Sequence, residues 1–129
     1  MGNHKLISFD IISSFGFLKK PDMNEGIYLT YNFIHKPALL GLLGAIIGLG
    51  GYFQSLLKKS EFPEYLGKLG NIKMGIKPIT KRGIFNKIVI TYNNSVGYAN
   101  DDGNLIIKEQ TLVKPHYRIF MLLDTDIEL

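Results

Sequence analysis

The feature that most constrains this chain is an uncharged run of 21 residues, Pro37 to Leu57, flanked by Lys36 on one side and by Lys58 and Lys59 on the other. A run of that length is long enough to span a bilayer. Gly44 and Gly48 even stand at the four-residue spacing that lets membrane helices pack closely. Its texture argues for a different fate. Gly41, Gly44, Gly48, Gly50 and Gly51 fall within 11 residues, Pro37 opens the run, and Gln54 and Ser55 interrupt its end. Each glycine inside a helix costs roughly 1 kcal/mol relative to alanine. The well-formed apolar part, Ala38 to Leu49, is 12 residues, a length that suits a buried helix of a globular domain. Pro37 fits the first helical position, where its missing N–H is harmless. Because this segment is apolar on nearly every side, the expectation is a helix buried on nearly every side. Gly50-Gly51 would end or bend it, with an amphipathic turn continuing from Tyr52 to Lys59.

The rest of the chain is read around that helix. With 129 residues and 46% apolar content, it can bury one core, so a single domain over residues 1–129 is expected. Lys5 to Ile12 alternates as a strand, Ser13 to Gly26 reads as a loop punctuated by Gly16, Pro21, Asp22 and Asn24, and Ile27 to Ile34 is a second extended piece. Asn71 to Ile79 alternates again, with Ile72, Met74 and Ile76 opposite Lys73, Gly75 and Lys77. Lys87 to Tyr92 and Leu105 to Lys108 read as the arms of a hairpin whose polar tip is Asn93 to Asn104, with Asp102-Gly103 as a turn signal. Tyr117 to Leu123 is a last strand, apolar enough to lie inside a sheet. That order gives an α+β sheet with a helix on one face.

Charge is distributed unevenly. No acidic residue occurs between Tyr65 and Asn100, a stretch that carries Lys68, Lys73, Lys77, Lys81, Arg82 and Lys87, whereas Asp124, Asp126 and Glu128 fall in the last six residues. A locally basic segment attracts a polyanion before any specific contact forms, although a solvated lysine-rich surface has the same composition. The chain has no cysteine, which excludes a disulfide framework or thiolate zinc site and fits a reducing cytoplasm. His4, His35 and His116 have no metal-ligand spacing. The glycine run lacks the Gly-Lys-Ser/Thr of a phosphate loop, and no serine sits in a nucleophile elbow. No metal or cofactor is expected, and the N-terminus carries no secretory pattern.

Three blocks resemble a known family. The first is Phe9-Asp10-Ile11-Ile12-Ser13-Ser14-Phe15-Gly16-Phe17-Leu18-Lys19-Lys20-Pro21. The second is Leu29-Thr30-Tyr31-Asn32-Phe33 followed by Pro37-Ala38-Leu39-Leu40-Gly41-Leu42-Leu43-Gly44-Ala45-Ile46-Ile47-Gly48-Leu49, and the third is Lys114-Pro115-His116-Tyr117-Arg118-Ile119. In this order they are similar to the N-terminal portion of the CRISPR-associated Cas-five family, closest in texture to type I-B. The second block is the most specific. Ile34-His35-Lys36 departs from the proline-rich spacing often found before the family's helix.

The resemblance implies a ferredoxin-like sheet of the RNA-recognition type with one buried glycine-rich helix. It also implies a thumb-like hairpin insertion over about residues 80–114; the last helix and strand of that fold are expected to be lacking, a departure from the family. It implies a cytoplasmic subunit of an antiviral Cascade complex that binds the 5′ handle of the guide RNA rather than turning over a substrate. Its partners would be a Cas-seven-type backbone subunit and the large subunit, with target DNA engaged only indirectly.

Single-stranded handles are read by phosphate contacts, stacking and hydrogen bonds to splayed bases. On that reading the RNA-binding candidates are Lys19, Lys20, Tyr31, Lys36, Lys77, Lys81, Arg82, Lys87 and Arg118. Gly41 and Gly44 join them as points of close approach near the helix N-terminus, with tight packing as their alternative role. Phe15, Phe17 and Phe85 suit either a core or a stacking platform. The alternative function is metal-independent cleavage of precursor guide RNA, for which Tyr31, His35, Lys114 and His116 would supply base, acid and cation. A second alternative is a small membrane protein built around residues 37–57.

Overall fold

A computed structural model of the chain describes residues 4–24, 26–51, 57–58, 63–94 and 105–124. The strands are β1 (His4–Ile12), β2 (Phe15–Gly16), β3 (Lys19–Asn24), β4 (Ile27–Thr30), β5 (Lys73–Pro78), β6 (Lys87–Asn94), β7 (Leu105–Val113) and β8 (His116–Asp124). The helices are α1 (Lys36–Ile47) and α2 (Glu64–Leu69). The fold is α+β and mostly sheet, as the alternation of the sequence implies.

The strands form two sheets, one of three strands in the order β1-β8-β5 and one in which β7 is central. The chain divides into two compact units, one holding residues up to Asp10, Ile34–Lys77 and those from Arg118 onward, the other Ile11–Phe33 and Pro78–Tyr117.

In the first unit, β5 keeps the expected alternation, with Met74 and Ile76 half-buried and Lys73, Gly75 and Lys77 exposed. Pro37 opens α1 as expected, and Gly48 closes it in the left-handed region at φ 83°. There the N–H of Leu49 donates back to Gly44 O at 2.8 Å, so the last carbonyls are satisfied without a side chain. Helix α1 has 12 residues, about 18 Å at 1.5 Å per residue, and the hydrocarbon core of a bilayer is about 30 Å thick. No helix among the described residues is long and apolar enough to cross a membrane.

Burial on nearly every side is not what α1 shows. Leu39, Leu40 and Gly44 are buried, whereas Leu42, Ile46 and Ile47 are exposed, Ile46 at 71%. Among the described residues, the short helix α2 packs along one stripe of it. The covering residue is Tyr65, itself buried, and Leu69 and Ile72 extend the same core. The continuation expected over Tyr52 to Lys59 lies largely outside the described residues.

In the second unit, β6 runs antiparallel along β7 from Lys87↔Leu112 to Asn94↔Leu105, as a hairpin should. The expected tip, apart from Asn93 and Asn94, lies outside the described residues. The other edge of β7 is shared by β4, parallel through Ile27↔Lys108 and Tyr28↔Glu109, and by β2, antiparallel through Phe15↔Val113. The segment read as a loop, Ser13 to Gly26, therefore contains two strands. Among the described residues strand β3 is an edge strand pairing with β4 alone, and its register shifts between Lys19 and Met23, around Pro21. Proline is tolerated in that position because an edge residue owes no ladder N–H on its outer side.

Thr30 anchors this region from a fully buried position: its hydroxyl accepts the N–H of Leu18 at 2.8 Å and donates to Tyr31 O at 2.9 Å. Asn32 ties the far segment down by accepting the N–H of Phe85 at 2.8 Å and donating to Phe85 O at 2.7 Å.

Candidate nucleic-acid interface

The expected RNA-contacting residues fall into groups with different commitments. In the second unit, Lys19 and Lys20 start β3. The ammonium of Lys19 lies 4.8 Å from the centre of the Tyr28 ring and that of Lys20 lies 5.4 Å from the centre of Tyr31. Both are within the range at which a cation is drawn to an aromatic face. Antiparallel pairing of β3 with β4 brings these basic and aromatic residues together. Tyr31, singled out from the sequence for its polar neighbours, is half-buried and takes part in this pairing. Lys81 and Arg82 are exposed in the turn leading to β6. Lys87 is exposed overall, but its ammonium donates to Thr30 O at 3.1 Å.

In the first unit four of the candidates, Gly41, Gly44, Lys36 and Arg118, make contacts within the fold. Gly41 and Gly44 face Tyr65: a Cβ on Gly44 would stand 2.5 Å from Tyr65 Cβ, and one on Gly41 would stand 3.7 Å from the Tyr65 ring. The close approach they allow is helix to helix. Lys36 donates to Gly70 O at 3.0 Å. The guanidinium of Arg118 grips Asp10 with two bonds, Nε to Oδ1 at 2.9 Å and Nη2 to Oδ2 at 3.1 Å. That bond and the neighbouring negative charge raise the Arg118 pKa further above its ordinary value. Lys77 is exposed near the end of β5.

Of the three phenylalanines, Phe85 belongs to the core, buried edge-on against Tyr117 at 5.1 Å. Phe15 is 59% exposed and Phe17 is half-buried. The residues of the cleavage alternative are divided, with His35 in the first unit and Tyr31, Lys114 and His116 in the second. Lys114 takes a left-handed conformation at φ 50°, and its N–H donates to Ser14 O at 2.8 Å, so it serves as the turn between β7 and β8.

The sequence did not point to a hollow of about 400 Å³ on the sheet of the second unit, walled by Phe15, Phe17, Ile88, Ile90, Glu109 and Thr111. Its walls come from β2, β6 and β7, and the cross-strand partners Ile88↔Thr111 and Ile90↔Glu109 put four of them on one sheet face. Tyr92 donates to Glu109 Oε2 at 2.9 Å, and that bond raises the Tyr92 pKa. The alternation of β7 is visible in the sequence, but its pairing with Phe15 is not.

No family model matches the chain, and no curated protein matches it.

Proposed function

We propose that this chain is a guide-RNA-binding subunit of a type I Cascade complex, I-B-like, that holds the 5′ handle of the guide on a ferredoxin-like fold. The observation that carries the reading is the β6–β7 hairpin, which enters the chain between β5 and β8, where the Cas-five resemblance leads one to expect a thumb. The sheet order β1-β8-β5 supports it. A ferredoxin-like unit likewise places its third strand between its first and second, with a helix crossing from the first to the second.

The chemistry supports it as well. Lys19 over Tyr28 and Lys20 over Tyr31 join a phosphate-seeking cation to a ring on which a base can stack. Exposed apolar side chains on both faces of the hairpin, Ile88, Val89 and Ile106, suit a thumb that closes against RNA and a neighbouring Cas-seven-type subunit.

The test is binding of the full chain to a labelled guide RNA bearing its repeat-derived handle, across a salt series and against a scrambled handle, with a gel to detect cleavage. Handle-selective, salt-weakened binding with intact RNA is expected. Absence of binding at low salt would overturn the reading, and specific cuts lost on His116→Ala would assign precursor guide-RNA cleavage instead.

A further inference from the structure

The three-stranded sheet of the first unit has two unlike faces. Ile119 and Met121 on β8 are buried, and Met74 and Ile76 on β5 are half-buried, so these residues line the core side. The residues that alternate with them point the other way. On that open side stand exposed Lys73, Gly75 and Lys77 on β5, with exposed Arg118 and half-buried Phe120 on β8.

Position 75 fixes the local geometry. A Cβ there would stand 3.7 Å from Phe120 Cβ and 3.8 Å from Phe120 Cδ2, so the Phe120 side chain lies beside bare backbone. A larger residue at 75 would cover the flank of that ring. Glycine inside a strand weakens it, and it often marks a place where a ligand approaches closely. Lys73 and Lys77 stand two residues to either side of Gly75 on the same face, about 13 Å apart along the strand. The two cations thus bracket the aromatic ring.

Charge decides what this face attracts. Neither lysine has a hydrogen-bond or ion-pair partner among the described residues. The carboxylate of Asp10 is held by two bonds from Arg118. Asp124, half-buried, stands at the far end of β8. An occupant that uses the whole β5 side brings anions to two separate points and a flat apolar group between them. Acidic peptide side chains answer the lysines but offer the ring no plane. A single strand of nucleic acid brings both, a base for the ring and a phosphate to either side of it.

We infer that the open face of the β1-β8-β5 sheet binds single-stranded RNA, with one base stacked on Phe120 and the flanking phosphates at Lys73 and Lys77. The inference rests on the RNA-binding reading above and adds to it a contact on the first unit. Of its three residues, only Lys77 stood among the candidates read from the sequence.

The experiment measures binding of the full chain to the labelled guide RNA across a salt series, with thermal unfolding of every variant alongside. Phe120→Leu keeps an apolar side chain and removes the plane. It should weaken binding about fivefold, the lower end of what one stacked base contributes, at unchanged salt slope. The double substitution Lys73→Ala, Lys77→Ala should flatten the slope of log affinity against log salt by about 1.4. Gly75→Thr places its Cβ in ordinary contact with Phe120 and favours the strand. It should hold or raise the thermal midpoint yet weaken binding, because the new side chain covers the ring. A phenylalanine and glycine that merely pack together would move only the midpoint.

Affinity unchanged in both Phe120→Leu and Gly75→Thr would overturn the stacking face and leave the RNA-binding reading intact. Loss of affinity in the lysine pair alone would also overturn it, and would mark the face as a general attractor of anions such as an acidic protein segment. Failure of the wild-type chain to bind the guide at low salt would remove the RNA-binding reading and this face with it.

Discussion

Replacing each of the two central glycines of α1 by alanine should move stability in opposite directions. An alanine Cβ at position 44 would stand 2.5 Å from Tyr65 Cβ and 3.3 Å from Tyr65 Cγ. Carbon atoms in contact sit about 3.5–4.0 Å apart, so α1 and α2 must separate by about 1 Å. No rotamer of Tyr65 relieves the contact, because its Cβ is fixed to the backbone and the residue is buried. Overpacking of this kind costs about 1–3 kcal/mol, and the gain in helix propensity returns at most about 1 kcal/mol. Gly44→Ala should therefore destabilise by up to about 2 kcal/mol. At position 41 the nearest Tyr65 atoms are 3.7–4.0 Å from the added Cβ, an ordinary contact. Only the propensity gain remains there, and Gly41→Ala should stabilise by about 0.5–1 kcal/mol. Thermal unfolding of the two variants reads the result as midpoint shifts of a few degrees in opposite senses. If both variants rise, the packing of α1 on α2 described above is wrong. If neither midpoint moves and both lose RNA affinity, the glycines face the nucleic acid after all.

Other predictions follow from single contacts. Asn32→Ala removes both bonds to the Phe85 backbone and leaves partly buried groups unsatisfied, so about 2 kcal/mol should be lost, read as a lower urea midpoint at unchanged slope. Lys114→Gly relieves a left-handed lysine at φ 50°, and the relief of about 1–2 kcal/mol should exceed the extra unfolded-state entropy of about 0.4–1 kcal/mol, raising the thermal midpoint slightly. The Glu64 carboxylate accepts the N–H of Gly50 at 3.0 Å. This bond, followed by the contact with Lys68, holds its pKa below the ordinary 4.5. A depressed carboxylate contributes its stability above the unfolded value and loses it as pH falls through the folded one. Glu64→Gln should accordingly be less stable than wild type above pH 4.5, with the gap closing in more acidic solution.

What could be read from the sequence was whatever depends on local period. β1 and β5 alternate, β8 is an unbroken apolar run, α1 begins at its proline, and β6 and β7 flank a turn-rich stretch, so each is visible without a partner. β2 was not visible because two residues carry no period, and Phe15–Gly16 is a strand only through β7, nearly 100 residues away. β3 was hidden by Pro21, Asp22 and Asn24, residues that mark a loop in isolation and are tolerated at a sheet edge. α2 is too short, at six residues, for a helical stripe to show. The apolar surround of α1 implied full burial, but composition does not reveal how many neighbours a helix will find. The same limit governs the site. The basic residues were countable, yet which of them the fold consumes depends on Asp10 and Gly70, which are far from their partners in the chain. The hollow lined by Glu109 and Thr111 drew no notice because it exists only where Phe15 and Phe17 stand beside β6 and β7.

That division of the cations gives the sharpest test of the proposed RNA contact. If Lys19 and Lys20 touch phosphates, each releases counterions, and for single strands the slope of log affinity against log salt is about −0.7 per phosphate contacted. The double substitution Lys19→Ala, Lys20→Ala should then flatten the slope by about 1.4, and it should also remove the cations held over Tyr28 and Tyr31. The matched control is Lys36→Ala, Arg118→Ala, which deletes the same charge from groups already bonded to Gly70 and Asp10. It should leave the slope unchanged while lowering stability, since Asp10 loses both bonds from Arg118. A control that flattens the slope as much as the test pair would mean that net charge, not position, governs binding. The pairing of the β3 lysines with Tyr28 on β4 and Tyr31 just beyond it would then be an ordinary feature of a solvated sheet edge.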